Sequence, residues 1–163
     1  EIYGLEATVE DYENSLARVK DEGIPASPHI VIGLHYGEIR GERRAVDIAA
    51  RHEPESLVLV AFKPISGTEM ERSKVSSPED IRDVIVYARE KLPEGKLLLG
   101  CARPPGEHQV RTDLYALEAG VDGIAYPSEE VVHEAARRGY EVFFSEVCCS
   151  LIFDSPPAVK PFR

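Results

Sequence analysis

Apolar residues in this chain occur in two patterns that take turns: short continuous runs, and longer stretches in which they recur every three or four positions. The first run, Ile30-Val31-Ile32, is bounded upstream by Pro25, Ser27 and Pro28 and leads into Gly33-Leu34-His35-Tyr36-Gly37-Glu38. Leu57-Val58-Leu59-Val60-Ala61-Phe62 is a second run, and it leads into Lys63-Pro64-Ile65-Ser66-Gly67-Thr68. Residues 96–101 make a third, followed by Ala102-Arg103-Pro104-Pro105-Gly106, and residues 121–126 a shorter fourth. Continuous runs of this length predict parallel strands buried on both faces, because a half-solvated strand would alternate. Residues 141–148 are read as a fifth strand, and the proline-rich end of the chain as a tail.

Between the runs lie helical patterns with their own start and stop signals. Thr8 can cap a helix with Asp11 in the reciprocal position, and Val9, Tyr12, Leu16 and Val19 then share one face. Gly23 suits the left-handed residue after its end. A short helix carrying Ala45, Val46 and Ala49 stops before Pro54. Ser77-Pro78-Glu79-Asp80 opens the best-marked helix, with cap, first-turn proline and two acids against the helix dipole. Its buried stripe is predicted to be Ile81, Val84, Ile85, Ala88 and Leu92. A helix around Val110, Leu114 and Leu117 ends at Gly120, and Ser128 caps one that ends at Gly139.

Strands alternating with amphipathic helices specify an α/β fold: a parallel sheet with right-handed crossovers. Two closures fit, an open doubly wound sheet or part of a (β/α) TIM-like barrel. A complete barrel of eight units needs at least about 200 residues, so the 163 residues here supply only part of one. The division expected is a partial barrel domain over residues 1–150 and a C-terminal tail over 151–163.

Composition narrows the setting. With 43% hydrophobic and 29% charged residues the chain reads as an ordinary globular protein. No apolar run approaches the roughly 20 residues that cross a bilayer, and the N-terminus does not resemble a signal peptide. The chain opens on Glu1, so its true start has been removed or lies upstream. A formal net charge of −10 argues against nucleic-acid and anionic-membrane partners. Three cysteines are too few for a disulfide framework, and Cys148 and Cys149 are adjacent, which strains an internal bond; a reducing cytoplasm fits best. A single Asn, a single Gln and a single Met among many charged residues resemble a thermophile's composition.

In parallel α/β folds the ligand sits at the carboxyl ends of the strands. Gly33 there either lets a ligand approach the backbone or merely serves the turn. His35, Tyr36 and Glu38 supply donors, acceptors and charge, or simply face water. Lys63 and Arg103 follow adjacent strands and are placed for a cofactor or substrate carboxylate, the competing reading being an ion pair with a nearby glutamate. His29 and His35 both look close to the ligand end of one strand, but without a third ligand. His52, His108 and His133 read as surface residues. Phosphate-binding loops, the dinucleotide glycine fingerprint and the nucleophile elbow are all missing.

Taken in order, His29–Glu38, Val60–Thr68, Leu99–Arg103 and Glu118–Ala125 resemble the later half of the radical S-adenosylmethionine enzymes. The branch they are similar to is that of biotin synthase and lipoyl synthase, especially the archaeal biotin-synthase-like proteins. The resemblance spans residues 7–144. It implies S-adenosylmethionine as cofactor, with Gly33, His35, Tyr36 and Glu38 lining its pocket. Lys63, Pro64, Gly67, Thr68 and Arg103 would open onto the same mouth. It further implies hydrogen abstraction by a 5′-deoxyadenosyl radical, sulfur insertion, and a small-molecule or lipoyl-type substrate.

A [4Fe–4S] cluster belongs to the family too, but its Cys-x-x-x-Cys-x-x-Cys motif is absent here. The ligands would lie in an N-terminal half or a partner subunit, and this chain alone would not form the radical. The turn after Gly33 is longer than the family's, and Leu98 stands near the place of a cluster-ligating arginine of biotin synthase. Cys101, at the end of the third run, is the candidate metal ligand for a second cluster, with Cys149 and Ser150 behind it; the competing reading is a small core hydrophobe. Two other readings stay open. One is a non-catalytic subunit docking on a cluster-bearing half; the other is an unrelated small-molecule binder.

Overall fold

A computed structural model of the chain describes residues 2–151 and 160–161. Its centre is a four-stranded parallel sheet in the order β1 (His29–Ile32), β2 (Ser56–Ala61), β3 (Lys96–Leu99), β4 (Gly123–Ile124). The strands alternate with α1 (Val9–Asp21), α2 (Glu42–Arg51), α3 (Pro78–Lys91), α4 (Glu107–Glu118) and α5 (Glu129–Arg137).

Two residues per pleat divide each strand between two layers. Ile30, Ile32, Leu57, Leu59, Ala61, Leu97 and Leu99 face one way, onto Val46 and Ala49 of α2, Ile81, Val84, Ile85 and Ala88 of α3, and Ala116 of α4. Val31, Val58, Val60 and Leu98 face the other way, where Cys149 packs on them. Helices α2, α3 and α4 therefore share one face of the sheet.

The starts of the helices follow their sequences. Thr8 accepts the Asp11 N–H while Asp11 accepts the Thr8 N–H, and Ser77 and Asp80 repeat the reciprocal arrangement at α3. The predicted α3 stripe is buried as expected, Leu92 included. By contrast α1 fully buries no residue, and Val9 and Tyr12 of its apolar face are exposed. It is held to the end of α2 by ion pairs, Glu13 with Arg51 at 2.5 Å and Lys20 with Glu53 at 2.8 Å.

Several expectations need correction. β1 is an edge strand of this sheet, so it is not buried on both faces: His29 is exposed and Val31 half-buried. β4 spans two residues rather than six, because at one end the Asp122 carboxylate turns back to accept the Leu97 N–H at 2.8 Å. At the other end the chain leaves the strand at Tyr126, whose φ is +49°. The buried positions of α4 are Thr112, Asp113 and Ala116, with Val110, Leu114 and Leu117 half-buried on its flanks. The predicted fifth strand is reduced to β5 (Phe143–Phe144), which pairs antiparallel with β6 (Lys160–Pro161) outside the main sheet. It is followed by a 3-10 turn at Cys149–Leu151. Most of the predicted tail lies outside the described residues.

Gly100 marks where β2 and β3 lie closest on the face opposite the helices. A Cβ there would sit 2.5 Å from Val60 Cγ1 and 2.8 Å from Val58 Cγ1. Gly100→Ala is expected to cost about 1–3 kcal/mol by overpacking, read as a lower urea midpoint with an unchanged slope.

Candidate functional site

The loops leaving the four strands meet at one end of the sheet, and polar side chains lace them together. After β1 the chain turns through Gly33, Tyr36 and Gly37, all with positive φ, closed by a 2.8 Å bond from the Gly37 N–H to the Gly33 carbonyl. Glu42, in the first turn of α2, sends its buried carboxylate back under this turn. It accepts the Gly33 N–H at 2.8 Å through Oε1, and the Arg40 and Gly41 N–H groups at 2.7 and 2.9 Å through Oε2. A carboxylate holding three backbone donors fixes the loop as an internal anion would.

The segment before α3 closes over this turn. Ser76 Oγ donates to the Gly37 carbonyl at 2.9 Å. A Cβ on Gly33 would land on Ser76 Oγ, and one on Gly37 on the Lys74 carbonyl. The close approach that Gly33 permits is thus made by the chain's own segment 74–76. His108 of α4 continues the link, donating from Nε2 to the Ser76 carbonyl at 2.9 Å with Nδ1 3.3 Å from Thr112 Oγ1. It is a half-buried connector and not the surface residue that its sequence context predicts.

Arg103 gives the clearest departure from its sequence reading. It is 4% exposed, and its Nε donates to Asp113 Oδ1 at 2.6 Å. The remaining bonds go to carbonyls: Gly100 at 2.7 Å, Ala125 at 2.8 Å and Tyr126 at 2.9 Å. The other Asp113 oxygen accepts the Ser128 N–H at 2.8 Å, which sets the start of α5. The partner is therefore a buried aspartate, and the guanidinium ties β3 to the corner after β4.

The other predicted residues are distributed along the rim. The His35 and Tyr36 rings meet edge to face at 5.2 Å, and Arg40 donates to His35 Nε2 at 3.1 Å and pairs with Glu38 at 3.0 Å. Lys63, Gly67 and Thr68 are exposed and Pro64 half-buried on the loop after β2. There the Gly67 N–H donates to Glu71 at 2.9 Å and Thr68 Oγ1 to the Ile65 carbonyl at 2.8 Å. Lys63 and Arg103 follow adjacent parallel strands and so lie at the same end of the sheet. His29 and His35 do not meet. His29 opens β1, bonded through Nδ1 to the Ser27 carbonyl at 2.8 Å, while His35 lies beyond its other end.

Cys101 is exposed just past β3. Cys148 accepts a hydrogen bond from Ser150 Oγ at 3.2 Å, which holds its thiol below the usual value. Burial over the sheet pushes the Cys149 thiol up, and the neighbouring Cys148 and Cys101 add to the shift. Among the described residues no group of three or more His, Cys, Asp or Glu side chains is arranged to hold a metal ion. Nor is any helix among them long and apolar enough to cross a membrane.

Glu42, Ser76 and Asp113 are the site's organisers, and pattern reading missed all three. A carboxylate in the first turn of a helix reads as dipole compensation, and one mid-helix as a solvated face. The chain matches no protein-family model and no curated protein.

Two measurements follow. Arg103→Met leaves Asp113 buried without its cation and is expected to destabilise by about 3–5 kcal/mol, while the double variant Arg103→Met/Asp113→Leu recovers part of that loss. Since the thiolate is the reactive form, iodoacetamide at neutral pH should modify Cys148 ahead of Cys149. Ser150→Ala should slow the Cys148 reaction, and equal rates at both thiols would contradict the assignment.

Proposed function

We propose that this chain is the later part of a (β/α) barrel belonging to a radical S-adenosylmethionine enzyme of the biotin synthase and lipoyl synthase type. The observation that carries this reading is the strand order β1-β2-β3-β4 with α2, α3 and α4 on one face. Successive right-handed crossovers that never reverse put every helix on the same side, as in a barrel wall, whereas a doubly wound sheet reverses and carries helices on both faces. The loops that resemble the family's, 33–38, 63–68 and 100–103, all lie at the end of the sheet where such barrels bind ligands.

The rim fits S-adenosylmethionine in its chemistry. Tyr36 offers an exposed ring, Glu38 a carboxylate for ribose or ammonium donors, and Lys63 a cation for the methionyl carboxylate. Arg103 is committed to Asp113 and the strand carbonyls, so it would shape the mouth rather than bind the cofactor. When bound beside a reduced iron–sulfur cluster, S-adenosylmethionine supplies a radical able to take hydrogen from an unactivated carbon. The residues described here hold no ligand set for that cluster, so they would bind and orient, and a cluster-bearing half would be needed. Cys101, exposed at the mouth, is the residue of this chain that would contribute to a second cluster or sulfur source.

A second reading, a non-catalytic α/β small-molecule-binding subunit that partners a cluster-bearing half, is favoured by the missing Cys-x-x-x-Cys-x-x-Cys. Calorimetry with S-adenosylmethionine on a form of the protein carrying the cluster-binding segment tests the first. Binding is expected, weakened about tenfold by Glu38→Ala or Lys63→Ala, that is by about 1.4 kcal/mol. Gly33→Val is not a usable probe, because any Cβ there strikes Ser76. No heat of binding would overturn the radical-enzyme reading and leave the small-molecule binder.

A further inference from the structure

Tyr126 holds a backbone conformation that its side chain and its neighbour both disfavour. Its φ is +49°, in the left-handed region where bulky residues are outliers, and it precedes Pro127, which itself restricts the residue before it. Packing does not explain the choice, since the residue is 79% exposed. Glycine would adopt this corner without strain.

The conformation is nevertheless tightly enforced. The Ala125 N–H donates to the Leu99 carbonyl at 2.9 Å, fixing the residue before it. Arg103 holds the carbonyls of both Ala125 and Tyr126, and Gln109 Nε2 donates to the Tyr126 carbonyl at 3.0 Å. The Ser128 N–H is taken by Asp113 at 2.8 Å. A buried ion pair and a side-chain amide thus clamp a turn whose product is one tyrosine ring standing in solvent at the ligand end of the sheet. Strain that the surroundings over-determine is characteristic of ligand-contacting positions. Tyr36 shares the left-handed backbone, but its ring rests against His35.

We infer that Tyr126 is a substrate-contacting residue, held outward by the Arg103–Asp113 pair and Gln109 to lay its ring against the apolar part of a ligand. The class of ligand rests on the radical-enzyme reading above. There S-adenosylmethionine occupies the ends of β1 and β2, so the end of β4 faces the second molecule. Chemistry that takes hydrogen from unactivated carbon requires a saturated chain, and the ligand assigned is a saturated acyl chain. A phenol ring suits it, offering an apolar face with a polar tip.

The test uses the whole chain, its Tyr126→Gly and Tyr126→Phe variants, and N-octanoyl-lysine amide as probe, with N-acetyl-lysine amide as the control lacking the chain. Probe affinity is read by saturation-transfer NMR. With tyrosine rings labelled by carbon-13, the signal missing from Tyr126→Phe identifies Tyr126 among the 7 tyrosines. The octanoyl probe should shift that signal and the acetyl control should not. Tyr126→Gly should raise the melting temperature by about 2–4 °C through relief of strain and weaken the octanoyl probe at least tenfold, while Tyr126→Phe keeps its affinity.

A lower melting temperature in Tyr126→Gly would make the ring a packing element and overturn the inference. So would unchanged probe affinity in that variant, or no binding of the probe to the unaltered chain. S-adenosylmethionine is titrated in parallel. If it fails to bind while the octanoyl probe still depends on Tyr126, the radical-enzyme reading falls and the Tyr126 site stands.

Discussion

Arg103 and Asp113 form an ion pair from which water is excluded, their side chains 2% and 0% exposed. Removing two charges from water is costly, and such a pair persists only where further hydrogen bonds satisfy what the partners leave open. Here those bonds are the architecture. The guanidinium reaches the ends of β3 and β4 together, through Gly100, Ala125 and Tyr126, and the carboxylate reaches the first residues of the last helix through Ser128. β4 has two residues of ladder, too few to place itself, so the pair does what strand pairing does elsewhere in the sheet. The order of the last third of the fold depends on it.

The opposite edge solves the same problem differently. Glu42 gathers three backbone N–H groups from the turn after β1, and Ser76 and His108 connect that turn to α4. Asp113 lies one turn along from His108 on the same helix, so both edge clamps converge on α4. A rim tied down by side chains leaves few groups uncommitted. Lys63, Tyr126 and Cys101 are exposed on it, and a ligand would find a cation, an aromatic face and a thiol on a rigid frame. Ligand sites combine a few convergent polar groups with apolar surface in this way.

What was legible in the sequence was whatever local periodicity encodes. The α3 cap and stripe, the run of β2 and the alternation of elements were readable because each is decided within a few neighbouring residues. The end of β4 and the buried stripe of α4 were not, because both are decided by partners far along the chain. Asp113 is buried only because Arg103, ten residues earlier, reaches it across a loop. Gly33 shows the limit in another form. Its need to lack a side chain was readable, but not what approaches it, since Ser76 arrives from 43 positions away. His29 was placed at the wrong end of β1 because an apolar run does not by itself say which terminus a flanking histidine occupies.

The two faces of the sheet are unequal, and that inequality bears on how the fold is used. One face carries three helices and a continuous core; the other carries Val31, Val58, Val60 and Leu98 under a cysteine. A four-stranded sheet with no reversal in strand order cannot cover both faces with its own crossovers, because each right-handed connection returns to the same side. The second face must be covered by something that is not a crossover helix. In this chain the segment around Cys149 supplies part of that cover, with its own exposed Phe143, Phe144, Val147 and Leu151. Gly100, flat against Val58 and Val60, keeps the same face smooth next to the rim. An apolar wall that runs up to a polar, clamped rim is how a (β/α) wall presents its inner side. The Arg103–Asp113 pair stands where wall and rim meet.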